Sequence, residues 1–399
     1  MSLIVFWAAA ALIAYTYVLF PALLLLRARL FRRPYRSEEI RPSVSLIIAA
    51  HNEAANIGAK LDNVMLLDYP RDRLEVILAS DGSTDATEAI VRRYADWGVR
   101  LLPLPRMGKA QALNNAVAAS TGEVLVFSDA NSMYAPDAIR ALVRPFADPQ
   151  VGGVAGNQRY LKNSARAGNV AGRGEQSYWS FDRKLKKMQS QAGNAISATG
   201  AIYAIRRSLF HGVPEGVTDD FATSTSVIAQ GYRLVFAPDA VAYEPVAGAS
   251  LAEFGRKVRV INRGLRGVLI RRELLNPFRY GFYALQLFSH KVMRRLVAFP
   301  LLALLLISPF VWEYGLFYQA VALGQLAFYA CGLLGITFGE TRLGRAKLFT
   351  LPAFFCMVNA AALVATINVL RGQQIKLWEP KHQSAASPPP SAAAPVATA

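Results

Sequence analysis

The sequence contains few charged residues, few histidines and almost no cysteine. Charged residues make up 18% of the 399 positions, against roughly 25% in a typical soluble globular domain. The two cysteines, Cys331 and Cys356, both lie in long apolar runs, which excludes a disulfide scaffold. Four scattered histidines do not form a structural zinc site. Hydrophobic residues reach 53%, which excludes a disordered chain and argues against a purely cytosolic protein.

Acidic residues are also scarce relative to basic ones. There are 27 aspartates and glutamates against 44 lysines and arginines, a net charge of +17. Such an excess suits either nucleic acid or the anionic face of a membrane. The basic residues cluster beside apolar segments, at 27–36, 256–272 and 291–295, and no nucleic-acid-binding motif accompanies them. We therefore predict membrane lipids as partners and no nucleic acid.

Long apolar runs lie at both ends of the chain. Residues 3–26 are almost uninterrupted apolar sequence followed by arginines, and further runs occupy 296–312, 314–336 and 348–370. About 20 apolar residues cross a bilayer, so each is a candidate span. Because basic flanks favour the cytoplasmic side, we predict a multi-pass protein of the plasma (inner) membrane whose central part is cytoplasmic. The aromatic stretch 273–295 is expected to lie along the membrane interface.

The central part has a different pattern. Short β-rich runs at 44–50, 74–80, 99–102 and 123–128 alternate with helical stretches at 54–66, 85–94 and 109–119. This alternation predicts an α/β domain with a mostly parallel sheet and helices on both faces. The glycines between 152 and 174 do not fit a dinucleotide-binding motif and are interpreted as a flexible segment. The predicted organisation is given by six segments: a transmembrane helix at 1–26, a basic linker at 27–41, the α/β domain at 42–272, an interfacial helix at 273–295, three transmembrane helices at 296–370 and a disordered Pro/Ala-rich tail at 371–399.

Polar clusters follow three of the four predicted strands, where ligands of such sheets bind. They are His51-Asn52-Glu53, Asp81-Gly82-Ser83 and Asp129-Ala130-Asn131. The alternative is that these residues only form turns and helix caps, and for Ser83 to Asp85 capping is the favoured interpretation. Asp81 and Asp129 stand directly at strand ends, which favours a functional role for both.

Five motifs in order resemble the membrane-bound branch of the family 2 glycosyltransferases, which includes cellulose, chitin, hyaluronan and poly-N-acetylglucosamine synthases. The resemblance covers roughly residues 42–275 and implies a GT-A (Rossmann-like) fold. The matching strings are Ser45 to Glu53 (SLIIAAHNE), Ala79 to Asp85 (ASDGSTD), Gly108 to Asn114 (GKAQALN), Phe127 to Asn131 (FSDAN), and Gly200 to Arg207 (GAIYAIRR) with Thr218-Asp219-Asp220.

The resemblance implies a UDP-sugar donor and a divalent metal, Mg²⁺ or Mn²⁺. Asp81 would contact the nucleoside, with His51 and Glu53 beside it. Asp129 would lie at the nucleotide and metal, and Asn131 takes the place of the second acid of a D-x-D motif. An amide oxygen ligates a metal without adding charge, so the expectation is either weaker metal binding or a partly metal-independent site. Lys109 follows a glycine at a predicted helix start, where it either holds a phosphate or is a solvated surface lysine.

The resemblance makes Asp220 the general base, with Asp219 in place of the usual glutamate, and places the acceptor at Gly200 and Ala201. A neighbouring carboxylate raises a carboxyl pKa, which suits a base. The alternative is a purely structural role, in which these two aspartates only begin a helix. Arg256 and Arg259 fall where processive relatives carry Q-x-x-R-W, and so would bind the donor diphosphate. Arg263 and Arg266 recur on the same helix face, and lipid headgroups are the alternative ligand of this helix. Val260 replaces the tryptophan on which relatives rest the acceptor sugar.

The sequence therefore favours an inverting, membrane-embedded transferase that adds sugars to an exopolysaccharide or glycan, with accessory export proteins as further partners. A second enzyme hypothesis is a single addition to a lipid acceptor such as polyprenyl phosphate or ceramide. A transporter would need polar or charged residues within its spans. The spans contain few, chiefly Gln319, Gln325 and Asn359.

Overall fold

The computed structural model describes residues 1–160, 170–244, 250–339, 341, 344 and 346–373, and side chains at 170–180 and 250–252 are outside that description. The predicted tail therefore lies outside it from residue 374 onward. The strands are β1 Val44–Ala50, β2 Leu74–Asp81, β3 Val99–Leu104, β4 Val124–Asp129, β5 Met133–Tyr134, β6 Val151–Tyr160, β7 Tyr203–Arg206 and β8 Arg233–Glu244.

The helices of the central domain are α3 Ala54–Met65, α4 Thr87–Arg92, α5 Lys109–Ala119, α6 Ala138–Val143, α7 Val170–Ala192, α8 Asp219–Ala229 and α9 Ser250–Ile270. The terminal ones are α1 Ser2–Ala14, α2 Phe20–Leu30, α10 Pro277–Tyr280, α11 Phe282–Leu287, α12 Arg294–Leu296, α13 Ala298–Ile307, α14 Leu316–Thr337 and α15 Lys347–Leu370. Short 3₁₀ or π turns join several of them, including Tyr15–Leu19 between α1 and α2 and Phe288–Met293 after α11.

The described strands form one eight-stranded sheet of order β3-β2-β1-β4-β7-β6-β8-β5. The first four strands are parallel, as expected from the strand–helix alternation. Beyond them β7 is antiparallel to both β4 and β6, whereas β6 and β8 are parallel, so the sheet is mixed. The four parallel strands are nearly continuous apolar runs because helices cover both of their faces.

The interpretation of the glycine-rich region as flexible is wrong for residues 152–160. These residues belong to β6, which pairs with both β7 and β8. A Cβ at Gly152 would lie 2.5 Å from Leu209 Cδ1, and one at Gly156 would lie 2.6 Å from Ile202 Cγ2. The glycines are therefore explained by close packing against β6, and the strand follows from tertiary contacts that override low strand propensity.

Three helices are long and apolar enough to cross a membrane: Ser2–Leu30, Leu316–Thr337 and Lys347–Leu370. A further crossing would require the pair Phe282–Leu296 and Ala298–Tyr314, which is bent by 47°. The predicted span 296–312 thus begins at a bend. Pro300 has no N–H to donate to the carbonyl of Leu296, which explains the break there. The N-terminal helical segment Ser2–Leu30 also runs past the predicted boundary at residue 26 and includes Arg27 and Arg29.

The apolar helices pack directly on the central domain. Leu24 and Ala28 of α2 form a buried cluster with Leu185 and Ala192 of α7. A second cluster joins Val258 and Ile261 of α9 to three alanines of α15, namely Ala361, Ala362 and Ala365. Helices α7 and α9 therefore connect the sheet domain to the candidate membrane helices.

Candidate active site

The polar clusters predicted at strand ends lie at one edge of the sheet. Strands β2, β1 and β4 are adjacent and parallel, so their carboxyl ends meet there. Asp81 ends β2, Asp129 ends β4, and His51 follows β1. The Nδ1 atom of His51 lies 2.7 Å from the carbonyl oxygen of Asp81, which joins two of the clusters. The residues that the sequence analysis singled out therefore lie at the same edge of the sheet.

Asp81 holds the loop that leads into α5. Its carboxylate is buried, 1% exposed, and accepts hydrogen bonds from the Arg106 guanidinium at 2.5 Å and from the backbone N–H groups of Met107 and Gly108 at 2.7 and 2.9 Å. Opposite this loop, Gly82 has φ +63° and a Cβ there would lie 2.8 Å from the Arg106 nitrogen. The two loops can approach only because this residue is glycine. Arg106 was not predicted from the sequence.

The segment after β1 is held by the β2 loop. Asn52 has φ +52°, an uncommon conformation for a residue other than glycine, and its side-chain oxygen accepts from the Thr84 N–H at 2.8 Å. The N–H of Glu53 donates to Thr87 Oγ1 at 2.8 Å, and its carboxylate accepts from Asn56. Burial raises the pKa of the Glu53 carboxyl. These contacts tie the loop after β2 to the segment that follows β1.

Lys109 is the first residue of α5 and links two carboxylates from distant parts of the chain. Its Nζ atom lies 2.7 Å from Asp129 Oδ1 and 3.1 Å from Asp219 Oδ2, and its side chain is 17% exposed. Burial acts to lower the pKa of Lys109, but the charges of Asp129 and Asp219 outweigh it and raise that pKa. Lys109 is therefore a fixed cation within the site and not a solvated surface lysine.

Asp219 and Asp220 are the first two residues of α8, and Thr218 stands at the N-cap without a side-chain capping bond. Asp220 accepts a hydrogen bond from the Phe221 N–H at 2.8 Å. Burial, followed by the charge of Asp219, raises the pKa of the Asp220 carboxyl. The neighbouring Asp219 is ion-paired to Lys109. The two neighbouring carboxylates therefore differ: Asp219 holds Lys109, whereas Asp220 has the properties of a proton acceptor.

Gly200 lies directly against Asp129. A Cβ at this position would be 2.9 Å from Asp129 Oδ2 and 3.3 Å from Oδ1, so the carboxylate occupies the space that a side chain would need. The adjacent Ala201 is 1% exposed and packs in the core. Of the two residues predicted to bind the acceptor, the structure places only Gly200 beside the charged groups.

We expect Gly200→Ala to reduce transfer by roughly tenfold or more, since overpacking costs about 1–3 kcal/mol and about 1.4 kcal/mol is tenfold in rate. The added methyl group must displace the Asp129 carboxylate. Gly324→Ala is the matched control, because nothing lies within 4 Å of the Cβ position there. Steady-state rates of the two variants at equal protein concentration test this. Equal transfer rates in Gly200→Ala and Gly324→Ala would mean that the position of the Asp129 carboxylate does not affect transfer.

A divalent metal fits the edge next to Lys109. Asp129 is 33% exposed, and the Asn131 side chain forms no hydrogen bond with another described residue. No group of three or more metal-ligating side chains occurs in the described part of the chain. Mg²⁺ is often held by one or two carboxylates with substrate phosphates and water supplying the rest. One carboxylate and one amide oxygen match that sparse requirement, although Lys109 shares the carboxylate.

The arginines of α9 are arranged differently from the motif-based expectation. Arg256 forms a 2.5 Å ion pair with Glu253 in the same helix. Arg263, three residues beyond the expected motif, lies in the field of Asp219 and Asp220 and its pKa is lowered, chiefly by burial. Its Nε atom is buried without a hydrogen-bond partner among the described residues. Arg263 is therefore an additional candidate for contact with a diphosphate.

Lys60 was not predicted as part of the site. It is fully buried, its Nζ atom donates to Ser128 Oγ at 2.8 Å, and it lies 4.0 Å from the centre of the Tyr134 ring. Burial lowers its pKa to about 7. The sequence signal is its position on the apolar face of α3, between Ile57 and Leu61. Lys60 supports the end of β4 from behind Asp129.

The mixed sheet with carboxylates at the carboxyl ends of its parallel strands is a GT-A-like half-barrel, the class of fold found in glycosyltransferases. A family model described as glycosyl transferase family 2 matches residues 45–213. This segment is thus a family 2 glycosyltransferase domain, as the motifs indicated. The match ends before Asp219 and Asp220, whose roles rest on the geometry above.

Similar proteins agree with this assignment. The chain is 25% identical over 225 residues to a poly-β-1,6-N-acetyl-D-glucosamine synthase of Staphylococcus aureus, covering 55% of this chain and 53% of that protein. It is 27% identical over 208 residues to the synthase of the same name from Staphylococcus epidermidis, covering 50% of this chain and 49% of that protein. The chain thus spans about half the length of these curated relatives. A mannosyltransferase of Pyrobaculum calidifontis, solved with GDP-Man and Mn²⁺, has a TM-score of 0.67 at 26% identity and covers 93% of this chain and all of that one.

Proposed function

We propose that the protein transfers a sugar from a nucleoside diphosphate donor to an acceptor hydroxyl with inversion at the anomeric carbon. The observation that carries this proposal is the row of charges Asp129, Lys109 and Asp219, with Asp220 next in sequence. The row provides a cation for a diphosphate and a buried carboxylate for a proton at one edge of the sheet. Both are needed for glycosyl transfer at neutral pH.

In the proposed step the acceptor oxygen bonds to the anomeric carbon while the bond from that carbon to the donor phosphate oxygen breaks. The hydroxyl proton passes to the Asp220 carboxylate, and the nucleoside diphosphate leaves with the bonding electrons. Lys109 lies where the leaving group's negative charge develops, and Arg263 is close to the same aspartates. Asp81 contributes by fixing the loop before Lys109.

Asp129 and Asn131 are the residues that would hold a divalent metal, Mg²⁺ or Mn²⁺. When bound, such an ion neutralises the diphosphate of the leaving group. The Asp129 carboxylate contacts Lys109, lies against Gly200 and is partly exposed. Because Lys109 already supplies one positive charge there, the chain's own residues provide part of the neutralisation.

We further propose a UDP-sugar donor and a growing glycan as acceptor, which is supported by the names of the staphylococcal relatives. The mannosyltransferase solved with GDP-Man makes a GDP-sugar the main alternative donor. Val260, which replaces the expected tryptophan, is 44% exposed and gives no aromatic platform for a sugar. We therefore expect short products rather than long chains of the cellulose type.

The donor is identified by incubating the detergent-solubilised full chain with a panel of UDP- and GDP-sugars. We expect one donor to release nucleoside diphosphate at least about tenfold faster than the others. EDTA should lower that rate, and Mn²⁺ or Mg²⁺ should restore it. Asp129→Asn is the matched variant, and it should require more metal. If no donor on the panel is turned over or bound, the proposed function is wrong.

We also propose that the catalytic domain faces the cytoplasm, the compartment in which nucleotide-sugars are available. The basic residues around the apolar helices support this orientation. A cysteine placed at the exposed Asp239 should be protected from a membrane-impermeant thiol reagent in intact cells, in a background in which Cys331 and Cys356 are replaced. A cysteine at Glu313 should react. Labelling at position 239 without lysis would reverse the orientation.

A further inference from the structure

A cavity of ≈ 170 Å³ lies beside Asp220, where α7 and α9 meet the candidate membrane helix α15. Asp220, Thr199 and Val358 are among its lining residues. Five of the side chains that line it are basic: Lys186, Arg256, Lys257, Lys291 and Arg295. Asp182 and Asp220 are the acidic ones. The cavity therefore has an excess of positive charge directly beside the proposed base.

Part of this charge is already neutralised. Glu253 pairs with Arg256 at 2.5 Å and with Lys257 at 2.8 Å. Lys186 and Lys291 are different, since neither forms a hydrogen bond or a direct ion pair within the described part of the chain. Lys291 instead lies 5.5 Å from the centre of the Phe221 ring. Within the described residues, Lys186 and Lys291 are thus two cations of the cavity without a carboxylate in direct contact.

Two further observations indicate that a ligand group completes this cavity. Lys186 is only 5% exposed, and burial lowers its pKa, so holding its charge there is costly without an anion. The hydroxyl of Thr199 is buried and has no hydrogen-bond partner among the described residues. An anionic ligand with several oxygens bound in this cavity would supply negative charge to the two lysines and a hydrogen-bond acceptor to the hydroxyl.

The size of the cavity limits what it can hold. Sites for drug-sized ligands are roughly 300–1,000 Å³, so this cavity cannot enclose a nucleotide-sugar. The donor residues Asp81, Lys109 and Asp129 are also absent from its lining. It is therefore distinct from the donor side, and Asp220 lines it while Asp219 next to it faces Lys109.

We infer that this cavity binds a phosphate ester group of the acceptor, held by Lys186 and Lys291 so that a hydroxyl beside it reaches Asp220. The inference rests on the proposed function and specifies the acceptor class. Val358 belongs to α15, which is long and apolar enough to cross a membrane. A lipid-linked phosphate could therefore place its tail along α15, whereas a soluble sugar phosphate would use only the charged part.

The test is a binding measurement on the detergent-solubilised full chain, with nucleoside diphosphate present at saturation to fill the donor side. Farnesyl phosphate carries both a phosphate group and a lipid tail, and farnesol carries the tail alone. Glycerol phosphate is a soluble phosphate ester without the tail. Lys186→Met and Lys291→Met remove the two cations. Lys187→Met is the matched control, because this neighbouring lysine is exposed.

We expect farnesyl phosphate to bind at least about tenfold more tightly than farnesol, the range of one charge-assisted hydrogen bond. Lys186→Met and Lys291→Met should abolish that preference, whereas Lys187→Met should keep it. Glycerol phosphate binding as tightly as farnesyl phosphate would identify a soluble source, and much weaker binding a lipid source. Equal binding of farnesol and farnesyl phosphate, or an unchanged preference in both variants, would overturn the inference. Nucleoside diphosphate release by the wild type in the same preparation keeps that outcome separate from failure of the proposed function.

Discussion

Asp220→Asn is expected to reduce sugar transfer by at least about 100-fold, the lower end of the contribution of a general base. Donor binding should be retained, because the groups on the donor side, Lys109 and Asp129, are untouched by the change. Asp239→Asn removes an exposed carboxylate of the same type and is the matched control. Calorimetric donor binding and initial transfer rates on the same preparations give both quantities. Near-normal turnover of Asp220→Asn would remove this residue from the mechanism.

The raised pKa of Asp220 also predicts how the transfer rate depends on pH. A base must be deprotonated, and burial together with the charge of Asp219 raises the pKa of Asp220. The acidic limb of kcat/KM should therefore lie above the ordinary aspartate value of about 3.9, with activity lost as the pH falls through the raised pKa. Asp219→Asn removes the neighbouring charge, so the limb of its residual activity should move to lower pH. A limb that stays in place would mean that another group controls it.

Lys109→Met is expected to be as damaging, with a loss of about 100-fold to 1,000-fold in kcat, the effect of removing one electrostatic contact to a developing negative charge. The variant also leaves Asp129 and Asp219 facing each other without the cation that joins them at 2.7 and 3.1 Å. We therefore expect a lower thermal unfolding midpoint. Lys184→Met, at an exposed lysine, is the control for the loss of charge.

A second change separates the two effects of Lys109→Met. Adding Asp219→Asn relieves the repulsion between the carboxylates, so the double variant should regain thermal stability without regaining transfer. Recovery of transfer in the double variant would show that Lys109 only keeps the two carboxylates together. Full activity of the single variant would exclude any role for this lysine.

The parallel half of the sheet could be predicted closely from the sequence. The run 44–50 coincides with β1, Val44–Ala50, and the helix predicted at 109–119 coincides with α5, Lys109–Ala119. Continuous apolar runs bounded by polar residues are strong local signals. The second half was missed because β6 contains Gly152, Gly153 and Gly156, whose presence is explained only by the side chains packed against them.

For the site, the sequence predicted the strand-end residues but not how they are connected. Asp81, Lys109, Asp129 and Asp220 stand out by motif and position, whereas the pairing of Lys109 with Asp219 joins residues 110 positions apart and depends on the fold. The role of Lys60 was missed for the same reason. The cavity beyond Asp220 is assembled from α7, α9, the Phe288–Met293 turn and α15, so no single segment indicated it.

The configuration of the newly formed glycosidic bond tests the central claim most directly. With Asp220 as a base that takes the proton of the acceptor, transfer occurs by one displacement, and the anomeric configuration of the product must be opposite to that of the donor. Nuclear magnetic resonance of the product made by the wild type with the donor found in the panel reports this configuration. We predict inversion. Retention of the donor's configuration would contradict the single displacement and the role assigned to Asp220.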